Sequence, residues 1–204
     1  MLNSLTYEGK TEEEVLQKAL DELKCEKEDL YIKSEFIEGK LFKGSKYIYH
    51  VITKKDVEVY IKEFLKKVGA LMGITVDMEI TDFEGIFNIT LVSDNNAILI
   101  GKDGKTLNAM QTLVRQSVRN NSGINIKINL DVSNYKLKKM KNIERLVKEI
   151  AKEVKDTKLN VSLEPMNSYE RRLVHTIISE YPELETESTG EGKDRHVTIK
   201  YKEN

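Results

Sequence analysis

Cysteine occurs once in the 204 residues, at Cys25, so no disulfide can close within the chain and a reducing compartment is its expected setting. Proline occurs twice and glycine eleven times, which excludes a Pro/Gly-rich disordered chain. Tryptophan is absent, and the three histidines, His50, His175 and His196, are scattered. With no cysteine cluster beside them, no zinc site is expected. The longest apolar stretch, near Val68 to Val76, is broken by Gly69, Gly73 and Thr75 and falls far short of a membrane span. The opening MLNSLTYEGK has no apolar core, so no secretory signal is expected. A cytoplasmic protein without membrane insertion follows as the expectation. Charge of one sign is also missing: 33 Lys and Arg face 34 Asp and Glu, for a net charge of -1. That balance excludes a whole-chain polycation coating nucleic acid by bulk charge.

What is present is patterning. Hydrophobic residues make up 39% of the chain and charged residues 33%, which suits small domains with much surface per residue. The reading is α+β, in three small units without repeats or a long linker. Residues 1–53 read β-α-β-β. Thr11 with Glu14 three residues later marks a helix start, and Val15, Leu16, Ala19, Leu20 and Leu23 recur at helical spacing. Strand-like runs follow near Asp29–Ile37 and Lys46–Thr53, joined by a turn-rich stretch from Glu38-Gly39-Lys40 to Gly44.

Residues 54–131 read α-β-β-α-turn-α-β. Val57, Ile61, Leu65, Val68 and Leu71 share one helix face. Alternation then predicts strands through Ile74–Ile80 and Phe87–Leu91, with Gly85 at the turn between them. A short helix, Ala97 to Ile100, is capped by Asp94, Asn95 or Asn96. After Gly101-Lys102-Asp103-Gly104 a second helix carries Leu107, Met110, Leu113, Val114 and Val118, and a strand runs Ile124–Leu130. Residues 132–204 read α-β-α-β-β. A long helix bears Leu137, Met140, Val147, Ile150 and Val154, and a strand covers Leu159, Val161 and Leu163. A helix capped by Asn167, with Glu170 at the box position, follows. Strands near Leu184–Ser188 and His196–Tyr201 flank Gly190-Glu191-Gly192.

The run Ile100-Gly101-Lys102-Asp103-Gly104-Lys105-Thr106 is the first constellation with chemistry. Its glycines let a ligand approach the backbone, and the following helix start favours a phosphate, with Lys102 and Lys105 adding charge. Gly104-Lys105-Thr106 suggests a nucleotide-binding P-loop, but Leu99 stands where that motif needs glycine, and a helix precedes it rather than a strand. A plain helix–turn–helix with a glycine C-cap is the bland alternative. The flanking order of elements resembles a prokaryotic type II KH domain. That resemblance implies a GxxG loop clamping about four nucleotides of single-stranded RNA or DNA. Ile100 and Leu107 are then candidates for the floor of the base groove, and Asp103 points outward.

The second constellation is Arg171-Arg172-Leu173-Val174-His175. Arg171 and His175, four apart, share a helix face and offer a guanidinium fork and an imidazole to a phosphate, while Leu173, Val174, Ile177 and Ile178 face the core. A solvated face in which His175 merely packs is the alternative. The Arg-xxx-His spacing on a helix after a strand resembles the R-3-H domain, a single-strand nucleic-acid binder.

Together with Leu163-Glu164-Pro165-Met166-Asn167-Ser168-Tyr169-Glu170, these residues make the chain similar to the Jag family, also called SpoIIIJ-associated proteins or KhpB. The resemblance implies a Jag N-terminal domain at 1–53, a type II KH domain at 54–131 and an R-3-H domain at 132–204. The linker common after the first domain is almost absent, which leaves functions tied to it, including phosphorylation, without a place. The second glycine-rich turn of that domain is degenerate at Lys43-Gly44-Ser45.

Charge placement agrees with a nucleic-acid track. Residues 1–53 carry eight basic and eleven acidic side chains, whereas Asn96 to Lys152 carry twelve basic residues, Arg115 among them, against four acids. Tyr135 and Tyr169 are the best stacking candidates.

The leading expectation is a bacterial single-stranded RNA-binding protein without catalysis, cofactor or metal. Ile100, Gly101, Lys102, Asp103, Gly104, Lys105, Thr106, Arg115, Arg171, Arg172 and His175 are its binding residues. The resemblance implies a post-transcriptional regulator linked to cell-envelope growth, elongation and division, with a small single-KH protein as partner. It also implies contact with membrane-associated envelope-growth proteins through the first domain. Single-stranded DNA offers the same phosphates. The alternative is a protein–protein adaptor that keeps a KH-like fold without binding RNA. A nuclease is disfavoured because no paired carboxylates, nucleophile–base pair or metal cluster stands out.

Overall fold

The computed structural model describes residues 2–39 and 44–202. The chain divides into two compact units, Met1–Ser133 and Asn134–Asn204. The turn expected between Glu38 and Gly44 lies, at 40–43, outside the described residues, as does Lys43 of the degenerate glycine turn.

The first unit begins with strand β1 (Leu5–Gly9) and helix α1 (Glu12–Leu23). Thr11 Oγ1 accepts the Glu14 N–H at 3.2 Å, while the Glu14 carboxylate reaches the N–H of Lys10 at 2.9 Å, one residue before the cap. Strands β2 (Leu30–Ile37) and β3 (Lys46–Thr53) complete an antiparallel sheet of order β1-β3-β2. A single 3-10 turn, Lys27–Asp29, delays β2 by one residue relative to the sequence pattern. Tyr7, Tyr49, Val51 and Leu30 pack under Val15 and Ala19 of α1.

Thr53 ends β3 and also caps helix α2 (Lys54–Leu71), its Oγ1 accepting from Asp56 N at 3.0 Å. One residue thus closes a strand and opens a helix, which is why no linker separates them. Strands β4 (Val76–Phe83) and β5 (Ile86–Ser93) pair antiparallel; β5 then pairs parallel with β6 (Lys127–Val132). Helices α3 (Asn96–Ile100) and α4 (Lys105–Ser122) form the crossover between those parallel strands. Register places Val76, Ile89, Leu91, Ile128 and Leu130 on one face of the sheet, against α2 and α4.

The N-terminal sheet docks on this core. The Tyr31 ring packs on Phe87, with centroids 5.8 Å apart and planes at 44°, and Lys54 pairs with Asp82 at 2.5 Å. The Tyr31 hydroxyl is buried without a partner among the described residues. Burial, and secondarily the charge of Asp82, pushes its phenol up to about 12.

In the second unit, helix α5 (Tyr135–Thr157) buries Val147, Ala151 and Val154. Strand β7 (Val161–Ser162), helix α6 (Ser168–Ile178), and strands β8 (Leu184–Thr189) and β9 (His196–Tyr201) follow. The sheet order is β7-β9-β8, antiparallel throughout. Val174, Ile177 and Ile178 of α6 meet Val197 and Ile199 of β9 in the core.

Three further strand boundaries differ from the alternation pattern. The strand expected from Ile74 begins at Val76, because Ile74 still belongs to the turn closing α2, its N–H bonding to Gly69 O at 3.0 Å. The strand expected from Ile124 begins at Lys127. Ile124 and Ile126 are buried, but Ser122 Oγ bonds to Val118 O and also to the N–H and C=O of Ile124, which holds a corner there. The strand expected over Leu159–Leu163 shrinks to two residues; Leu159 is 68% exposed and follows a left-handed Lys158 that caps α5. Among the described residues, no helix is long and apolar enough to cross a membrane.

Candidate nucleic-acid interface

The first unit carries the Gly101–Gly104 turn at the junction of α3 and α4. Asn95 is the residue that caps α3, its side chain accepting from Ile98 N at 3.4 Å. The Gly101 N–H closes α3 on Ala97 O at 2.9 Å. Gly101 then adopts φ 68°, ψ -179°, a conformation essentially restricted to glycine. A Cβ there would sit 2.1 Å from Thr106 Oγ1 and 2.7 Å from Thr106 Cβ. The missing side chain therefore makes room for the first turn of α4, a requirement of the fold that exists without any ligand.

Lys102–Gly104 forms one 3-10 turn, in which Asp103 (φ 56°, ψ 22°) and Gly104 (φ 78°, ψ 15°) are both left-handed. Gly104 is buried and has no side chain with which to cap α4. The positive end of an 18-residue helix thus emerges directly from the turn. Lys102, Asp103 and Lys105 are exposed, and Thr106 is half-buried against Gly101. Of the two residues expected at a groove floor, Leu107 is 1% exposed and belongs to the core, whereas Ile100 is half-buried beside the turn. Arg115 is exposed, but its Nε donates to Ile128 O at 2.7 Å, so part of the guanidinium fork ties α4 to β6. Gln111 adds a second tie, its Oε1 accepting from Leu130 N at 2.9 Å.

The second unit carries Arg171, Arg172 and His175 on α6. The Asn167 side chain accepts from Tyr169 N and Glu170 N at 3.0 Å each, and Glu170 Oε2 accepts from Asn167 N at 2.9 Å. The capping box expected from sequence is thus complete. Glu170 is only 7% exposed, and its other oxygen pairs with Lys139 Nζ at 2.6 Å. Lys139 therefore fixes the start of α6, a role that charge counting alone does not distinguish from a place in a basic track. Arg172 is exposed, while Arg171 and His175 are half-buried. His175 is less open than its spacing suggests: its Nδ1 lies 2.6 Å from Thr186 Oγ1 on β8, which fixes the ring. Alternation along β8 already puts Thr186 on the helix side of the sheet, so this partner was readable from the pattern. Tyr169 is 62% exposed and Tyr135 half-buried.

The basic residues of α5 divide similarly. Lys148 pairs with Glu144 at 2.6 Å; its hydrogen bond holds the Glu144 carboxyl below the usual range and raises the Lys148 amine. Lys138, Lys141, Arg145 and Lys152 are exposed. Among the described residues, no group of three or more His, Cys, Asp or Glu is arranged to hold a metal ion.

Residues 58–132 match the family model of the KhpA/KhpB KH domain, and residues 141–201 match that of the R-3-H domain. The chain is similar to the RNA-binding protein KhpB of Clostridium symbiosum, 38% identical over 98% of this chain and 93% of that protein. It is similar also to the RNA-binding protein KhpB of Bacillus subtilis (strain 168), 29% identical over 98% of this chain and 100% of that protein.

Proposed function

The chain belongs to the KhpB family, and on that footing we propose that it is a bacterial, cytoplasmic protein that binds single-stranded RNA without catalysis of its own. Its parts in this reading are a Jag N-terminal domain at 1–53, a type II KH domain at 54–131 and an R-3-H domain at 132–204. The observation that carries the proposal is the turn at Lys102–Gly104. Two consecutive left-handed residues lead into the uncapped start of α4 between two exposed lysines. The positive end of a helix without a side-chain cap, flanked by two exposed lysines, suits a phosphodiester.

Gly101 to Thr106 then hold the backbone, with Ile100 under the bases. Arg115 contributes whatever of its fork β6 leaves open. Arg171, Arg172 and His175 hold a second stretch, and two weak modules on one chain gain affinity through effective concentration. The resemblance to the Jag family extends the reading to post-transcriptional regulation of cell-envelope growth, elongation and division. It also implies a small single-KH protein as partner and contact with membrane-associated envelope-growth proteins through the N-terminal domain.

Crosslinking in cells followed by sequencing of bound RNA tests the proposal. Wild type should recover RNA that a Lys102→Glu/Lys105→Glu variant largely loses. Equally low recovery from both, with a protein partner retained, would instead favour an adaptor that keeps a KH-like fold. Competition with matched single-stranded DNA separates the two nucleic acids.

A further inference from the structure

The two sheets of the first unit end in the edge strands β1, β2, β4 and β6, and three of these are guarded against a further strand. On β1 the strand is only five residues long, and the Glu8 carbonyl accepts from Lys18 Nζ at 3.2 Å. On β6 Arg115 takes the Ile128 carbonyl and Gln111 the Leu130 N–H. On β4 Asp77, Glu79 and Asp82 stand without a base, so a second copy would meet like charge. The remaining edge, β2, has none of these devices. It pairs with β3 over eight consecutive residues with no bulge and no proline. Its last five residues, Lys33 to Ile37, are all exposed. Among the described residues no side chain caps their backbone groups; Lys33 Nζ and Glu35 Oε1 bond to each other, at 2.8 Å. Such an edge is a template for another strand.

The exposed stretch is complementary to itself. A twofold axis through Ser34 sets Lys33 of each copy against Glu35 of the other, in an antiparallel pair. Ile32 then faces Phe36, and Tyr31 faces Ile37. Moving the axis to Lys33 or to Glu35 would set like charges together, so the charges select one register. Alternation keeps each pair on one face. Leu30 and Ile32 belong with the core under α1, so Ser34 and Phe36 share that side. Tyr31 packs on Phe87, so Lys33, Glu35 and Ile37 share the other. The apolar pairs extend surfaces that the unit already has. Phe36 is 53% exposed, and its ring lies 4.9 Å from that of Tyr47. Tyr47 and Ile32 both border the α1 core. Across the axis, Phe36 of one copy covers Ile32 of the other and continues that core from one molecule into the next.

The geometry points to β2 as the place where a second copy of this chain adds, antiparallel about Ser34, joining the two N-terminal sheets into one. This pairing needs no nucleic acid. A strand edge with its flanking side chains is small as interfaces go, so the dimer is weak and concentration-dependent. The test is sedimentation velocity of the full chain over a wide concentration range without RNA, with circular dichroism melts checking that each variant folds. Wild type should pass from monomer to dimer. Glu35→Lys and Lys33→Glu should each raise the dimer Kd about tenfold, since both attractive pairs become repulsive. The double variant Lys33→Glu/Glu35→Lys should return to within about twofold of wild type, and so should an equimolar mixture of the two single variants. Ser34→Cys in a Cys25→Ala background should crosslink to itself on oxidation, because opposed Cα atoms in an antiparallel pair lie about 4.5–5.5 Å apart. Thr81→Cys, exposed on β4, should not. A chain that stays monomeric at every concentration, or a dimer whose Kd neither single variant moves, would overturn the pairing.

Discussion

Replacing Gly101 with alanine separates what the fold demands of the loop from what a ligand demands. The backbone at φ 68°, ψ -179° lies in a region that costs a non-glycine residue about 1–3 kcal/mol. The new Cβ also lies 2.1 Å from Thr106 Oγ1 and 2.7 Å from Thr106 Cβ. The hydroxyl can rotate, but the Cβ moves only with the first turn of α4, which is overpacking of about 1–3 kcal/mol. Together these give about 4 kcal/mol. For a unit of this size each kcal/mol moves the melting midpoint by about 4 °C, so the first transition should fall by about 15 °C. Circular dichroism melts of the full chain read this directly. Gly73→Ala is the control: its φ is also positive, at +74°, but nothing lies within 4 Å, so only about 1 kcal/mol of backbone cost applies. Thr106→Ala in the Gly101→Ala background should recover part of the loss by removing the closer atom. A Gly101→Ala protein that melts with wild type yet no longer binds RNA would refute the reasoning and make the glycine a matter of ligand clearance. An acid in place of Gly101 would here report misfolding, so the exposed lysines are the cleaner probes.

The remaining predictions concern the supports. Glu170→Ala removes both the box acceptor and the ion pair to Lys139, and should cost about 2–3 kcal/mol, read as a lower melting midpoint of the second unit; Glu170→Gln, which keeps an acceptor for Asn167 N, should cost clearly less, and equal losses would refute the role of the box acceptor. The Tyr31 phenol has its ordinary value near 10 when unfolded and is pushed up to about 12 in the fold. Below pH 10 both states keep the proton; between about 10 and 12 only the unfolded state loses it, so wild-type stability should fall over that window more than that of Tyr31→Phe, and parallel curves would contradict the burial. At neutral pH Tyr31→Phe should fold as stably as wild type or better, since the hydroxyl it removes has no partner among the described residues. Thr186→Val should release the His175 ring and weaken RNA binding severalfold with a stability loss of about 1 kcal/mol, measured by anisotropy and melts.

Much of this was legible in the sequence because local chemistry and tertiary packing agree. Thr11, Thr53 and Asn167 cap where their spacing predicts or where a strand must end, and most of the apolar periodicity of α2, α4, α5 and α6 survives in their buried faces, although Leu71, Leu113 and Leu137, read as part of those faces, are exposed. Strand starts were less legible. Ile124 and Ile126 alternate like a strand and are buried like one, yet the side chain of Ser122 bends the backbone there. Burial and pairing share a pattern that sequence alone does not divide. At the candidate site, residue types were readable but their engagements were not. Lys139 counts as one positive charge in the sequence; only the fold brings the buried Glu170 to it from another helix. Arg115 likewise reads as a surface cation, while its Nε faces the Ile128 carbonyl. Thr106 fills the space that the Gly101 motif was expected to leave for a ligand.

The account rests most directly on the salt dependence of RNA binding at the Lys102–Gly104 turn. A labelled single-stranded RNA titrated with the full chain across a salt series should give a steep slope for wild type. Lys102→Glu/Lys105→Glu should keep the wild-type melt, because both side chains are exposed, and should lower the slope by at least about 1.4, two contacts at 0.7 each. An unchanged slope in a folded double variant, or no binding by wild type, would contradict the claim that this turn holds the nucleic-acid backbone.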